Sequence, residues 1–171
     1  MIKREGFTMV EILVYVAVLG LLVSAIASFF LWASNVSAKN QAMAEVLNNG
    51  QRALSTITIE IRKAKTVYSP TMSASQLSLE TNDSLGAGET SGFVDFFLCG
   101  EQLCLKREGQ PVLAITSDKV VVSYLSFTVV NYSTTTASVQ IGLKVDYKGG
   151  EGKAERQAAF NATSTAALRP Y

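Results

Sequence analysis

Glu11 is the side chain whose setting in the sequence is chemically most unusual. It is the only charged residue between Phe7 and Ala38, a stretch that is apolar along most of its length. A lone carboxylate in lipid costs on the order of 3 kcal/mol on insertion scales, so it needs a partner. Cleavage after Gly6 would create a free α-ammonium group on Phe7, four residues before Glu11. Positions i and i+4 share a helix face, so amine and acid could pair within one subunit or between neighbours.

Cys99 and Cys104 form the second group of residues with possible chemistry. A disulfide, two free thiols and a metal site are the three interpretations. A Cys-x4-Cys pair is a poor zinc site, because zinc takes four ligands and the chain contains no histidine. Outside the inner membrane the compartment is oxidising, which favours the disulfide. We expect the two cysteines to flank a tight turn and to pair directly across two strands.

Composition argues against an enzyme and against a nucleic-acid binder. Without histidine, neither a Ser/His/Asp nor a Cys/His catalytic set can form, and no paired carboxylates lie in a recognisable motif. The net charge is +1, far from the basic footprint of nucleic-acid-binding domains. We therefore expect no enzymatic activity, no cofactor, no bound metal and no nucleic-acid partner.

The N-terminal region predicts a single-pass membrane protein. Residues 1–6 are a charged leader, and residues 7–35 are long and apolar enough for a helix that crosses a bilayer. A secretory signal peptide would place its small-residue cleavage site after the apolar run, whereas Gly6 precedes it. Lys3 and Arg4 place the N-terminus in the cytoplasm by the positive-inside rule, with the rest of the chain on the other side of the inner membrane.

The sequence KREGFTMVE at residues 3–11, followed by the apolar run, resembles the type IV prepilin signature. The resemblance covers about 30 residues. It implies that a prepilin peptidase cleaves between Gly6 and Phe7 and methylates the new amine of Phe7, and that Glu11 guides assembly. The implied partners are other pilins or pseudopilins, the peptidase and the inner membrane. The implied final location is a filament.

Two features of the resemblance favour a minor pilin or pseudopilin. Many major pilins carry a proline midway along the apolar helix, and residues 1–67 contain none. The segments 120–130 and 137–147, the glycine-rich loop 149–152 and the sequence FNATS at 160–164 resemble J-type minor pseudopilins of type II secretion. Such a subunit primes or caps a pilus-like or pseudopilus filament. The alternative is a membrane-tethered binding protein, in which the part of the chain after the membrane helix captures an extracytoplasmic ligand.

The residues after the span predict a second, amphipathic half of the helix over 36–68. Gly50 lies in this half, and close packing against the sheet would explain a glycine inside a helix. Asn49 falls outside the one-sided stripe of apolar residues that this half carries. Residues 55–61 also alternate like a strand, although we favour one helix from about Phe7 to Ala64. The predicted stripe comprises Val36, Met43, Val46, Leu47, Leu54, Ile57 and Ile61.

Residues 69–171 predict a β-rich globular head. Alternating or apolar runs bounded by turn residues indicate its strands. The best of them, 137–147, places Val139, Ile141, Leu143, Val145 and Tyr147 on one buried face. Phe160 is a candidate anchor in the last strand. The expected class is α+β, a long N-terminal helix on an antiparallel head, as in pilins. The predicted strands are 76–80, 93–99, 103–107, 112–116, 120–130, 137–147 and 154–168.

Overall fold

The structure is a computed structural model that describes residues 8–68, 75–82, 90–133, 136–149, 152 and 157–169. The chain divides into two units, Met1–Ala38 and Lys39–Tyr171. Helix α1 (Met9–Lys63) contributes residues to both units, and all described strands belong to the second. The predicted α+β class with one long N-terminal helix is confirmed.

Residues 55–61 are helical, so the alternative reading of this segment as a strand is wrong. Ile57 and Ile61 lie one helical turn apart and are both fully buried. Their spacing fits the helical period, and the helix continues to Lys63. The amide of Ala64 still donates to the carbonyl of Glu60 at 3.0 Å, which closes the last turn.

The first unit carries one candidate membrane span among the described residues. It is an apolar window of α1 with a mean hydropathy of 2.5 and none of its residues buried. The hydroxyls of Ser24 and Ser28 donate to the carbonyls of Leu21 and Ser24 at 2.8 and 2.9 Å. These polar groups are therefore satisfied within the helix, as a lipid environment requires.

The strands of the second unit form two antiparallel sheets. The prediction of an antiparallel head is confirmed, and its strands fall into two groups that each follow chain order. The first sheet comprises β1 (Thr66–Val67), β2 (Leu77–Thr81), β3 (Gly92–Cys99), β4 (Gln102–Arg107) and β5 (Leu113–Ala114). The second sheet comprises β6 (Val120–Ser133), β7 (Thr136–Tyr147) and β8 (Ala159–Ala167). Strand β1 is an addition to the predicted set.

Strand β7 supplies the predicted buried face. The side chains of Val139, Ile141, Leu143 and Val145 have no exposed surface, whereas Tyr147 is half-buried. Fully burying such a side chain contributes about 1.5–3 kcal/mol. One cluster joins this face to residues of the helix and of the first sheet, including Val46, Ile57, Ile61, Leu79 and Phe96.

The buried face of the helix differs in part from the predicted stripe. Val46, Ile57 and Ile61 are buried as expected, but Val36 and Met43 are 40% and 41% exposed. The face instead runs through small and polar residues, which let strands approach the helix closely. These are Ala42, Asn49, Gly50 and Ala53.

Gly50 lies directly beneath the ring of Phe160 on β8. A Cβ atom at position 50 would lie 2.2 Å from Cδ1 and 2.8 Å from Cγ of that ring. The ring can occupy this position only because the helix has no side chain there. Close packing against the sheet thus accounts for a residue that costs a helix interior about 1 kcal/mol relative to alanine.

We expect Gly50→Ala to destabilise the second unit by about 1–3 kcal/mol, because the Phe160 ring must move and overpacking outweighs the gain in helix propensity. Urea unfolding of the full chain in detergent micelles measures this change. Gly20→Ala is the matched control, since a Cβ atom at position 20 meets nothing within 4 Å. A Gly50→Ala variant more stable than the native chain would contradict the packing described here.

Candidate functional site

The first turn of α1 holds Glu11 in a defined setting. Thr8 precedes the helix, and its carbonyl oxygen accepts hydrogen bonds from the amides of Glu11 at 3.1 Å and Ile12 at 3.3 Å. Thr8 Oγ1 also accepts from the Glu11 amide at 3.4 Å. A threonine followed three residues later by glutamate is the capping-box sequence, which satisfies donors left open at a helix start. This cap fixes the position from which the Glu11 side chain leaves the helix.

The Glu11 carboxylate lies beside Tyr15, one turn further along α1. The Tyr15 hydroxyl donates to Oε1 of Glu11 over 3.4 Å, a long hydrogen bond. The positive end of the helix dipole favours a carboxylate here by about 0.3–1 kcal/mol. Among residues 8–68, no lysine or arginine forms an ion pair with Glu11. The carboxylate is therefore placed to accept a cation that comes from elsewhere.

Gly6 and Phe7 lie outside the described residues. Cleavage between them, methylation of Phe7 and the Phe7–Glu11 pair accordingly stay predictions. Of this pair the structure describes Glu11 alone: it lies in a capped first turn and is exposed on a helix whose neighbouring side chains are apolar and also exposed.

Cys99 and Cys104 are joined by a disulfide, with their Cα atoms 5.9 Å apart. They do not lie directly opposite each other, as the sequence led us to expect. Cys99 faces Gln102 across the hairpin, and Cys104 faces Phe97. The bridge is therefore diagonal: the turn has two residues, Gly100 and Glu101, whereas Cys99 and Cys104 could face each other directly only across a turn of four residues. A positive φ of 69° at Gly100 suits glycine in such a tight hairpin turn.

The disulfide closes the hairpin tip that connects the two sheets. The carbonyl of Glu101 accepts from the amide of Val122 on β6 at 2.8 Å. The Glu101 carboxylate also accepts from Lys148 Nζ at 2.6 Å. The hydrogen bond from Lys148 to Glu101 raises the pKa of the lysine above its ordinary value, and the negative charges of Glu101 and Asp118 act in the same direction. The disulfide therefore lies next to the turn residue from which these contacts are made.

Replacing both cysteines with serine should destabilise the second unit by about 2 kcal/mol, as the chain-entropy relation gives for a short closed loop. Chemical denaturation of the full chain in micelles, with and without reductant, measures the loss. Reductant should lower the stability of the native chain by a similar amount and leave the Cys99→Ser/Cys104→Ser chain unchanged. Equal stability of the native and serine chains without reductant would show that the bridge is not structural.

A buried polar group on the helix was missed by the sequence prediction. Asn49, expected off the buried face, is only 4% exposed. Its Nδ2 donates to the carbonyl of Glu45 at 2.8 Å, and its Oδ1 accepts from the amide of Ser117 at 2.8 Å. The Ser117 hydroxyl donates to Glu45 Oε1 at 3.0 Å, and Arg52 donates to both Asn49 Oδ1 and the carbonyl of Ile115.

These contacts attach the connection between β5 and β6 to the helix. Asn49 tolerates burial because both ends of its amide are hydrogen-bonded. Little in the sequence indicates that Asn49 is buried, since an asparagine among polar neighbours is normally predicted to be exposed to solvent. Its partners, Ile115 and Ser117, lie more than sixty residues away, at separations of 63 and 68 from the helix residues that they contact. The group is part of the scaffold and does not resemble a binding site.

Comparison with known proteins identifies a family only at the N-terminus. The family described as Prokaryotic N-terminal methylation motif matches residues 1–27. This match includes Gly6, Phe7, Glu11 and Tyr15 and stops well before the second unit. No curated protein and no solved structure matches the chain. The part of the chain that this family covers is therefore residues 1–27, which include the first turns of α1.

Proposed function

We propose that the chain is a structural subunit of a type IV pilus-like or pseudopilus filament, anchored in the inner membrane before assembly. The observation that carries the proposal is the coincidence of three features. A methylation motif occupies residues 1–27, an exposed apolar helix follows from Met9, and its first turn carries a carboxylate that forms no ion pair with any residue that the structure describes.

In this proposal the chain is divided by function along its length. Residues 1–6 are a leader that a prepilin peptidase removes, and residues 7–35 serve first as membrane anchor and then as assembly helix. Residues 36–68 are the half of the helix that belongs with the head, and residues 69–171 are the β-rich head. The leader cations Lys3 and Arg4 keep the N-terminus cytoplasmic, so the head faces the extracytoplasmic side.

The assembly step follows from the chemistry of Glu11. Hydrolysis of the bond after Gly6 leaves a carboxylate on Gly6 and a cationic α-amine on Phe7, and in a separate step the peptidase transfers a methyl group from a methyl donor to that amine. When the helix leaves lipid for a bundle of neighbouring helices, an amine from an adjoining subunit meets the Glu11 carboxylate. Water is excluded from such a bundle, so the attraction is stronger than at a protein surface. Each subunit thereby finds an axial register in which no buried charge is left alone.

A minor subunit that primes or caps the filament is the form of this function that we favour. The helix has no proline up to residue 67, unlike that of many major pilins. The head resembles J-type minor pseudopilins in its long pair of strands, β6 and β7, and in the sequence at 160–164. The disulfide-closed tip and the Asn49 contacts serve the stability of that head. No enzymatic activity is part of the proposal.

Photo-crosslinking in the native cell tests the proposal. A benzophenone amino acid at position 19, whose leucine is 63% exposed on α1, reports the neighbours of the helix. We expect crosslinked partners that carry the same N-terminal motif, and their disappearance in cells that lack prepilin peptidase. The same label at Lys106, exposed on β4, reports the neighbours of the head.

The two labels also separate the subunit from the alternative, a tethered binding protein. Head crosslinks to a ligand, combined with helix crosslinks that never reach another motif-bearing protein, would favour the tether. Helix crosslinks that persist without the peptidase would also contradict the filament proposal.

A further inference from the structure

We propose that Tyr15 is a positioning residue for Glu11: its hydroxyl holds the carboxylate while the subunit lies in the membrane and orients it toward the incoming amine. The inference rests on the assembly role of Glu11 proposed above. It adds Tyr15 as a hydrogen-bond donor to Glu11 and assigns the two carboxylate oxygens to different donors: Oε1 to the Tyr15 hydroxyl and Oε2 to the amine.

The geometry places Tyr15 where a side chain of the same helix can reach the acid. It lies four residues after Glu11, a spacing that brings side chains together on one helix face. Its hydroxyl donates to Oε1 over 3.4 Å. Among the residues that the structure describes, no other side chain donates a hydrogen bond to this carboxylate. Oε2 is left to accept from a second donor.

Three other hydroxyls in or next to the apolar half of α1 form hydrogen bonds with backbone groups. Ser24 and Ser28 donate to carbonyls of their own helix, and Thr8 Oγ1 accepts from the Glu11 amide. The Tyr15 hydroxyl instead points along the helix to the one charge in the segment. This arrangement places a hydroxyl donor next to the only charged side chain between Phe7 and Ala38.

The energetics favour this contact most strongly in lipid. A hydrogen bond to an ionised acceptor is roughly twice as strong as one between neutral groups. Leaving a carboxylate in an apolar medium without any donor carries a large desolvation cost. The tyrosine hydroxyl binds one oxygen of the carboxylate in the first turn of α1, and the other oxygen can then accept from an amine. A phenylalanine would provide the same apolar ring without this donor.

The test compares Tyr15→Phe with the native chain, using the position-19 crosslinking yield to motif-bearing partners. We expect the yield to fall about tenfold, the effect of one hydrogen bond to a charged group, while membrane insertion and removal of the leader are unchanged. A double variant, Tyr15→Phe/Val16→Tyr, is the matched control. It restores a tyrosine at a position turned away from Glu11 by the helical period, and it should not recover the yield.

A double-mutant cycle separates positioning from a general packing effect. In a Glu11→Gln background, Tyr15→Phe should cause little further loss, because its target charge is gone. An undiminished yield in Tyr15→Phe, full recovery by Val16→Tyr, or equal losses in both backgrounds would overturn the inference. If Glu11→Ala itself leaves the yield unchanged, the proposed function fails. If Glu11→Ala abolishes the yield and Tyr15→Phe does not lower it, only the role of Tyr15 fails.

Discussion

A chain carrying Glu11→Ala is expected to enter the membrane and lose its leader normally, yet to assemble at least about a hundredfold less efficiently than the native chain. Removing one partner of a desolvated ion pair costs about 3–5 kcal/mol, since the other charge is left unpaired. The amine of the neighbouring subunit would be that charge. Insertion should be unaffected, because alanine removes the one residue that opposes it.

The measurement is the ratio of subunit in the sheared filament fraction to subunit in the membrane fraction. Val10→Ala is the matched control. It shortens the adjacent side chain, which is 72% exposed on α1, without changing charge, and should assemble close to the native level. Normal assembly of Glu11→Ala would show that assembly does not require the carboxylate, and the tethered binding protein would become the better explanation.

The second large effect is expected from Gly6→Val, which should leave the precursor almost wholly uncut. Peptidase cleavage requires close approach to the bond after residue 6, and glycine alone presents no Cβ atom there. Valine adds a branched side chain that is stiff about χ1 and restricts the backbone. The uncut chain has no amine on Phe7 and should therefore also fail to assemble.

Mass spectrometry of the purified membrane protein distinguishes cut from uncut chains. Gly20→Val is the control, since it makes the same substitution further along the apolar helix, where a Cβ atom meets nothing within 4 Å. That variant should be processed like the native chain. A Gly6→Val chain of mature mass would refute the predicted cleavage site.

The elements that the sequence predicted best are those whose pattern is repeated many times. The apolar run of α1 was predicted from its length and hydropathy, and the five alternating positions of β7 were predicted from a period of two. The expected helix end near Ala64 and the observed end at Lys63 differ by one residue. Gly50 was a useful exception to the pattern: a costly residue in a helix predicted a close contact, and Phe160 supplies it.

The features that were missed depend on long-range pairing. The burial of Asn49 follows from its bond to Ser117, which no local pattern encodes. Val36 and Met43 fit the apolar stripe, but the observed buried face of the helix begins at Ala42 and follows smaller residues. The diagonal position of the disulfide follows from the register of a hairpin with a two-residue turn, which places Cys104 opposite Phe97 and not opposite Cys99.

The residues of the candidate site were also predictable from the sequence only in part. Glu11 could be singled out because a charge in an apolar helix is conspicuous in the sequence alone. The Thr8 cap and the Tyr15 hydroxyl became apparent only once side-chain directions in the first turns were known. Both residues lie within four positions of Glu11, so their spacing was present in the sequence, but threonine and tyrosine at a helix start do not by themselves indicate a shared task.

The intact mass of the native chain, purified from the membranes of its own cells, tests the central claim most directly. We predict a polypeptide that begins at Phe7 and carries one additional methyl group on its α-amine, and the full-length precursor in cells without prepilin peptidase. A native chain that still begins at Met1, in cells whose other motif-bearing proteins are cleaved, would contradict the claim that Glu11 pairs with an amine created by cleavage.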